Sequence, residues 1–316
     1  MTIFRPTLAP PGRLARLGVV LDTRNAPSRL REVARMCDRA GIDALWVGDH
    51  FAETDGHPRL EAWTALALAG LDTSRARLGA MLDVAFRPPT ILAAMAGTLD
   101  VALGGRLEIG LSGGRLDPER RPVEEYATTV RRLLAGDPAT RLGVASPQPG
   151  GPPLSVEATD ALQIAVAARV ADDVVIPLMA VKDTHATIEQ VREECRAAGR
   201  DPSSLGIAVE VPVSIGRTSA EAQARVDAES LFRTIGHPSK GGIFGTLEQG
   251  QDRVIELAHA GVTDLRCVLP NTADVHDVIA QLTAMVVGTA AVLAPNSPRS
   301  KAPDPPEKWG GRPPGR

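Results

Sequence analysis

Eight short apolar runs punctuate the chain, at residues 17–21, 44–47, 76–82, 107–111, 153–156, 173–177, 206–215 and 265–269, and segments with helical spacing of apolar residues follow them. Runs this short and this apolar need neighbours on both edges and helices on their faces, which is the environment of a buried parallel strand. In the first unit Leu30, Val33, Ala34 and Cys37 share a helical face that Gly41 closes. Pro88-Pro89 opens a later helix, because proline's fixed φ and missing N–H are tolerated in a first turn, and Ile91, Leu92, Met95 and Leu99 follow at core spacing. Further helices are expected over 61–71, 123–134, 161–170, 185–198, 219–232, 247–259 and 275–287. Eight strands alternating with helices make an α/β chain of the (β/α)8 type, a TIM barrel, and the count separates it from an open doubly wound sheet. Residues 136–152 and 236–245 are rich in Gly and Pro without periodicity and read as loops beside the barrel.

With 316 residues the chain can hold one such barrel, which takes about 250, and a tail. Residues 1–293 are therefore expected to form one domain. Residues 294–316, with Pro295, Pro298, Pro303, Pro305, Pro306, Pro313 and Pro314, read as a disordered tail. The net charge of −3 and the lack of a basic stripe interleaved with aromatics argue against nucleic acid as a partner. Cys37, Cys195 and Cys267 are odd in number and far apart, which fits reduced thiols in a reducing compartment. The start carries no secretory pattern, and the apolar run at 284–294 is short of the roughly 20 residues needed to span a bilayer. The expectation is a cytoplasmic protein without a membrane partner.

Barrel enzymes carry their chemistry at the C-terminal ends of the strands. After the second strand come Gly48-Asp49-His50, a carboxylate and an imidazole suited either to orienting a ring and moving a proton near neutral pH or to ordinary loop structure. After the fourth, Gly110-Leu111-Ser112-Gly113-Gly114 lets backbone approach a flat ring or a phosphate, or makes a tight turn. After the fifth, Glu157-Ala158-Thr159-Asp160 enters a helix whose first amides suit a phosphate, while Thr159 or Asp160 equally serves as its cap. No two of the six histidines stand four residues apart and no Cys pair joins them, so no metal is expected. Gly-x-Ser-x-Gly and the Walker-type phosphate loop are both absent. A barrel binding a small organic molecule remains.

Four ordered blocks carry a resemblance: residues 40–51 around Trp46-Val47-Gly48-Asp49-His50, then Leu60-Glu61-Ala62-Trp63-Thr64, Ser74-Arg75-Ala76-Arg77-Leu78-Gly79, and Leu99-Asp100 leading to Gly110. Together they resemble the luciferase-like monooxygenases and coenzyme F420-dependent reductases. Phe244-Gly245-Thr246-Leu247-Glu248 extends the match towards the C-terminus. The resemblance implies a flavin or deazaflavin at the barrel mouth, the cofactor carrying the redox chemistry while the protein orients it. Carried over by position, His50 is the expected acid/base, Asp49 its orienter and Asp83 an alternative acid. Met81-Leu82-Asp83 falls where the family often has a bulge with a non-proline cis peptide, Ser112, Gly113 and Gly114 line the ring, and Ala158 and Thr159 lie on the phosphate side.

Residues 131–136, a short connection between strands four and five, are more similar to the methylenetetrahydromethanopterin-reductase branch, which favours coenzyme F420 over FMN. Arg115 stands where several deazaflavin enzymes have a glutamate and suits an anionic substrate group, and Glu157 and Asp160 replace small neutral residues. The leading expectation is an F420-dependent oxidoreductase acting on a small organic substrate. The alternatives are an FMN-dependent monooxygenase served by a partner reductase, and a degenerate barrel that binds without turnover. A homodimer is the expected assembly.

Overall fold

In the computed structural model, which describes residues 14, 16–49, 58–113, 123–135, 145–177, 181–235, 241–271 and 274–292, the strands close into a parallel barrel. Its staves are β1 (Arg16–Val20), β2 (Ala44–Gly48), β3 (Arg77–Asp83), β4 (Leu107–Ser112), β5 (Leu154–Glu157), β6 (Asp173–Ile176), β7 (Gly206–Ile215) and β9 (Asp264–Val268). Neighbours pair in chain order from β1 to β7, and β9 closes the ring by pairing with both β7 and β1. Around it lie α1 (Pro27–Ala40), α2 (Ala62–Gly70), α3 (Pro89–Ala102), α4 (Val123–Leu134), α5 (Ala161–Val170), α6 (Val181–Ala197), α7 (Ser219–Ala228), α8 (Ser230–Ile235), α9 (Leu247–Ala260) and α10 (Val275–Val292). The TIM barrel read from the sequence is the fold observed.

Two local expectations differ. A ninth strand, β8 (Ile243–Gly245), lies in the stretch read as loop. It is needed because β7 outruns its neighbours: β9 pairs with β7 from Ala208 to Pro212, and β8 covers the remaining edge from Val213 to Ile215. Three residues beside a glycine carry no readable period. The helix expected over 219–232 is broken at Glu229, whose backbone is extended and whose buried carboxylate accepts the Leu231 amide at 2.8 Å, starting α8 afresh. The tail at 294–316 lies outside the described residues, as does 136–144 of the loop read at 136–152.

Strand alternation sorts side chains to two faces. Leu17, Val19, Leu45, Val47, Leu78, Leu82, Ile109 and Val156 join the apolar layer beneath the helices. The opposite parity points into the barrel and is small or charged. Trp46 lies on Gly79, where any Cβ would overlap its ring, and the Arg266 guanidinium stacks 3.4 Å from the Trp46 ring centroid. Below them is an ionic floor. Arg16 on β1 donates to Glu108 on β4 and to Asp264 on β9, each at 2.6 Å, and stands 3.6 Å from Asp173 on β6. Arg77 adds a second arginine to Glu108.

The pairs of Arg16 with Glu108 and Asp173 cross the interior, so the floor ties β1 to β4 and β6, which are not its neighbours. Burial alone would push the Glu108 carboxyl up, but Arg16, Arg77 and Arg266 hold it below its ordinary range. At Asp173 burial prevails over Arg16, helped by the like charges of Glu108 and Asp264, and its carboxyl is pushed up to about 6. A raised acid favours the folded state while protonated. That contribution is complete below the unfolded value near 4 and is lost as pH rises through about 6. Asp173→Asn should consequently stabilise the protein by about 1–3 kcal/mol at pH 8 and change little at pH 4, read by urea unfolding at the two pH values.

Candidate active site

At the mouth, Asp49 follows β2 and its amide donates to the Met81 carbonyl at 2.9 Å, so the end of β2 is held against β3. Its side chain is 2% exposed and is gripped through both oxygens by Arg87, which also reaches Glu61. Glu61 in turn caps α2 through the amides of Trp63 and Thr64, and Tyr126 donates to the Arg87 carbonyl at 2.9 Å. Asp49 therefore anchors the β3–α3 turn. Asp83, at the end of β3, donates its amide to Asp49 at 3.3 Å and accepts the Ala85 amide at 2.8 Å. His50, Gly114 and Arg115 lie outside the described residues.

On the ring side, β3 continues in register with β4 through Asp83 and Ser112, and among the described residues no peptide is cis. The expected bulge is replaced by a regular ladder. The Met81 thioether lies over Gly110, where a Cβ would come within 2.7–2.8 Å of it. Met81, Ser112 and Gly113 are all partly exposed. Leu82 and Ala158 have the other parity and are buried in the helix layer, so they offer a ligand backbone alone. The glycine at 113 is required by α4: a Cβ there would lie 2.5 Å from the Val123 side chain.

The turn after β5 is internally satisfied. Thr159 gives both its amide and its hydroxyl to Gln163 Oε1, at 2.7 and 2.6 Å, and Asp160 caps α5 by accepting the Gln163 amide at 2.9 Å. The residues present leave a partly exposed face at Met81, Ser112 and Gly113 that would hold the ring of a flavin or deazaflavin. They do not offer its phosphate the Thr159 donors, which Gln163 already holds.

Beside the Met81 platform opens a narrow cleft, continuous with solvent. It is lined by Val20, Leu21, Asp22 and Thr23 after β1, Gly48 on β2, Arg59, Glu210 on β7, Leu231 on α8 and Val268 on β9. Gly48 is the register partner of Met81, so cleft and platform are contiguous. A buried clamp fixes its far wall. Arg24 donates to Asp22 at 2.7 Å, to Glu229 at 2.9 Å and to the Ser230 hydroxyl at 2.9 Å, and the Asn271 amide donates to Glu229 at 2.7 Å. Burial lowers the Arg24 pKa, but Asp22 and Glu229 outweigh it and raise the group above its ordinary value.

Glu210 was not singled out from the sequence, yet it is half-buried in the cleft wall, its carboxyl pushed up to about 7 by burial. The signal that marks it is parity: the one charged residue of β7, in its inward row. Among the described residues no group of His, Cys, Asp and Glu could hold a metal ion, and no helix is long and apolar enough to cross a membrane.

The cleft opens at the strand ends, where TIM-barrel enzymes carry their active sites. The model of the luciferase-like monooxygenases matches residues 12–258, and the chain belongs to that family. It is 24% identical over 229 residues to a 5,10-methylenetetrahydromethanopterin reductase of Methanolobus tindarius, covering 66% of this chain and 68% of that one. In structure it resembles the coenzyme F420-dependent tetrahydromethanopterin reductase of Methanopyrus kandleri, with a TM-score of 0.72, 19% identity and coverage of 86% and 98%. It also resembles a monooxygenase of Streptomyces bottropensis, with a TM-score of 0.70, 18% identity and coverage of 89% and 99%. The chain is thus an enzyme of the luciferase-like family, with F420-dependent dehydrogenases and a monooxygenase among its relatives.

If Asp49 anchors the turn rather than serving as a free acid, Arg87→Met alone should cost about 3 kcal/mol by leaving its carboxylate buried and unpaired. Adding Asp49→Asn should recover most of that loss in urea unfolding. Equal losses in the single and double variants would assign the cost to Arg87's other contacts.

Proposed function

We propose that the protein is a coenzyme F420-dependent oxidoreductase that moves a hydride between the deazaflavin and a small organic substrate. The observation that carries this reading is the continuity of the partly exposed Met81 platform with the cleft at Gly48, which gives a planar ring and a small substrate adjoining sites. The similarity to an F420-dependent hydroxymycolic acid dehydrogenase, over 69% of the chain, supports the choice of deazaflavin. When bound, the cofactor supplies or accepts the hydride.

Met81, Ser112 and Gly113 hold the ring, and the clamp at Arg24 keeps Leu231 over the substrate and restricts water. His50 remains the proposed acid/base at the end of β2, and Arg115 the proposed partner of an anionic substrate group. Asp49 and Asp83 act by shaping the end of β2 and the β3 turn that present them. An FMN-dependent monooxygenase is the second reading, supported by the resemblance to the Streptomyces bottropensis monooxygenase. A barrel without turnover is the third, supported by the occupied Thr159 donors.

Fluorescence titration of the purified protein with F420 and with FMN separates them. The expected result is saturable F420 binding at sub-millimolar concentration, and binding of neither compound contradicts both enzymatic readings. With F420 bound, His50→Ala should retain cofactor affinity and lose turnover by about 10²–10⁴-fold. Unchanged turnover removes the role of His50.

A further inference from the structure

Inside the barrel, Trp46 Nε1, Arg266 Nε and Nη1, Glu108 Oε2, Asp173 Oδ2 and Asp264 Oδ1 are buried and have no hydrogen-bond partner among the described residues. Trp46 and Arg266 are 2% and 1% exposed and stack on each other, so bulk solvent does not serve their N–H groups. Arg266 Nε stands 3.7 Å from Asp264, beyond a direct hydrogen bond. Buried polar groups are nearly always satisfied by protein or by an ordered ligand, and so many orphaned atoms in one interior call for a ligand that the protein does not itself supply.

The atoms define what that ligand is. Trp46 and Arg266 offer donors, while the three carboxylates offer acceptors, so the occupant must both accept and donate. The three carboxylates are opposed by Arg16, Arg77 and Arg266, which leaves no excess charge to draw in an ion. Among the described residues no group of His, Cys, Asp and Glu could hold a metal ion. Water is the species that meets all three conditions.

The glycines show where it sits. At Gly79, Gly110 and Gly206 the space in front of the backbone is taken by Trp46, Met81 and Asp173, and an added Cβ would overlap them. Gly18 differs. It is buried in the inward row of β1 as the register partner of both Arg266 and Ala44, and a Cβ there would meet nothing closer than 3.4 Å. The atoms at that distance are the carbonyl oxygens of Ala44 and Leu265 and Cδ1 of Trp46, the ring carbon bonded to Nε1. Each carbonyl has a second lone pair to offer beside its strand hydrogen bond. Two acceptors, the indole edge and the Arg266 strand therefore border one small polar space, which meets a buried water's need for 2–4 partners.

We propose that a water molecule is built into the barrel over Gly18, accepting from Trp46 Nε1 and the Arg266 guanidinium and donating to the carbonyls of Ala44 and Leu265. Two residues further along the same three strands come Val20, Gly48 and Val268, which line the cleft. The water thus lies one inward layer beneath the cleft and hydrates the cation that faces Glu210. The inference is independent of which cofactor or substrate binds above.

The test uses the full chain without cofactor. Labelling with ¹⁵N-tryptophan gives indole signals from Trp46, Trp63 and Trp309, and Trp63→Phe and Trp309→Phe assign the third by elimination, so Trp46 stays in place. Water-selective NOE and ROE spectra are read at the Trp46 indole proton. The expected result is a cross-peak to water with NOE and ROE of opposite sign, which marks a held molecule rather than proton exchange, and which is the same in chloride and in gluconate buffer. Gly18→Ala, whose methyl fills the space, should abolish the cross-peak and lower the amplitude of ¹⁷O relaxation dispersion by about one long-lived water.

The absence of a cross-peak in the wild type, or its persistence in a folded Gly18→Ala variant, overturns the proposal. A saturable chloride-dependent shift of the Trp46 signal overturns it in favour of an anion. Circular dichroism shows whether each variant has folded. Gly18→Ser supplies a second reading through its hydroxyl, which takes the place of the water and can serve the same partners. It should lose the cross-peak yet unfold at a higher temperature than Gly18→Ala, although serine is the larger residue, and the reverse order overturns the assigned hydrogen bonds.

Discussion

Three arginines and three carboxylates inside the barrel, Arg16, Arg77 and Arg266 against Glu108, Asp173 and Asp264, set the terms for the rest of the structure. Barrel interiors are ordinarily filled by branched aliphatic side chains. Here the inward row is ionic at the floor, and each charge is tolerable because an opposite one lies across the ring. The contacts join β1 to β4 and β9, strands that backbone hydrogen bonds alone do not all connect, so a shift of register in any of them separates a buried pair. Glycines make the room. Trp46 occupies the space over Gly79, Met81 that over Gly110, and the Asp173 carboxyl the space that a side chain at Gly206 would fill.

Arg266 carries this arrangement upward. It is fully buried, stacked on Trp46, hydrogen-bonded to Ser155 at 2.9 Å and 3.7 Å from Asp264, and it is also the cation that faces Glu210 at the bottom of the cleft. Burial lowers its pKa, and Asp264, Asp173 and Glu108 work to restore its charge. The floor and the cleft therefore share one electrostatic system. The mouth above is held by two further ionic groups, Asp49–Arg87–Glu61 on the side of β2 and β3 and Asp22–Arg24–Glu229 on the side of β1 and α8. Charged residues at this end position backbone as much as they present chemistry.

That division explains what the sequence made legible. All eight staves were readable because each has an apolar outward row, and Pro27, Pro89, Gly41 and Gly261 punctuate the helices as local stereochemistry requires. β8 and the break at Glu229 were not, since one answers an open edge of β7 and the other a buried ion pair with Arg24, far away in sequence. At the site, the strand-end rule located Asp49 and Ser112 at the mouth, and the resemblance added Met81. It did not reveal that Arg87 claims Asp49, that Gln163 claims Thr159, or that parity turns Leu82 and Ala158 away from a ligand. Glu210 was hidden in a strand read as continuously apolar, where only a count of inward positions singles it out.

The account turns on the barrel's interior charges governing the acid in the cleft. The direct measurement is the ¹³C titration of the Glu210 carboxyl in Arg266→Met, a substitution that keeps much of the side chain's bulk over Trp46 and removes its charge. Without the facing guanidinium, burial and Glu157 act unopposed, and the midpoint should rise above the value of about 7 held in the wild type. A midpoint that stays at the wild-type value in a folded variant would contradict the account.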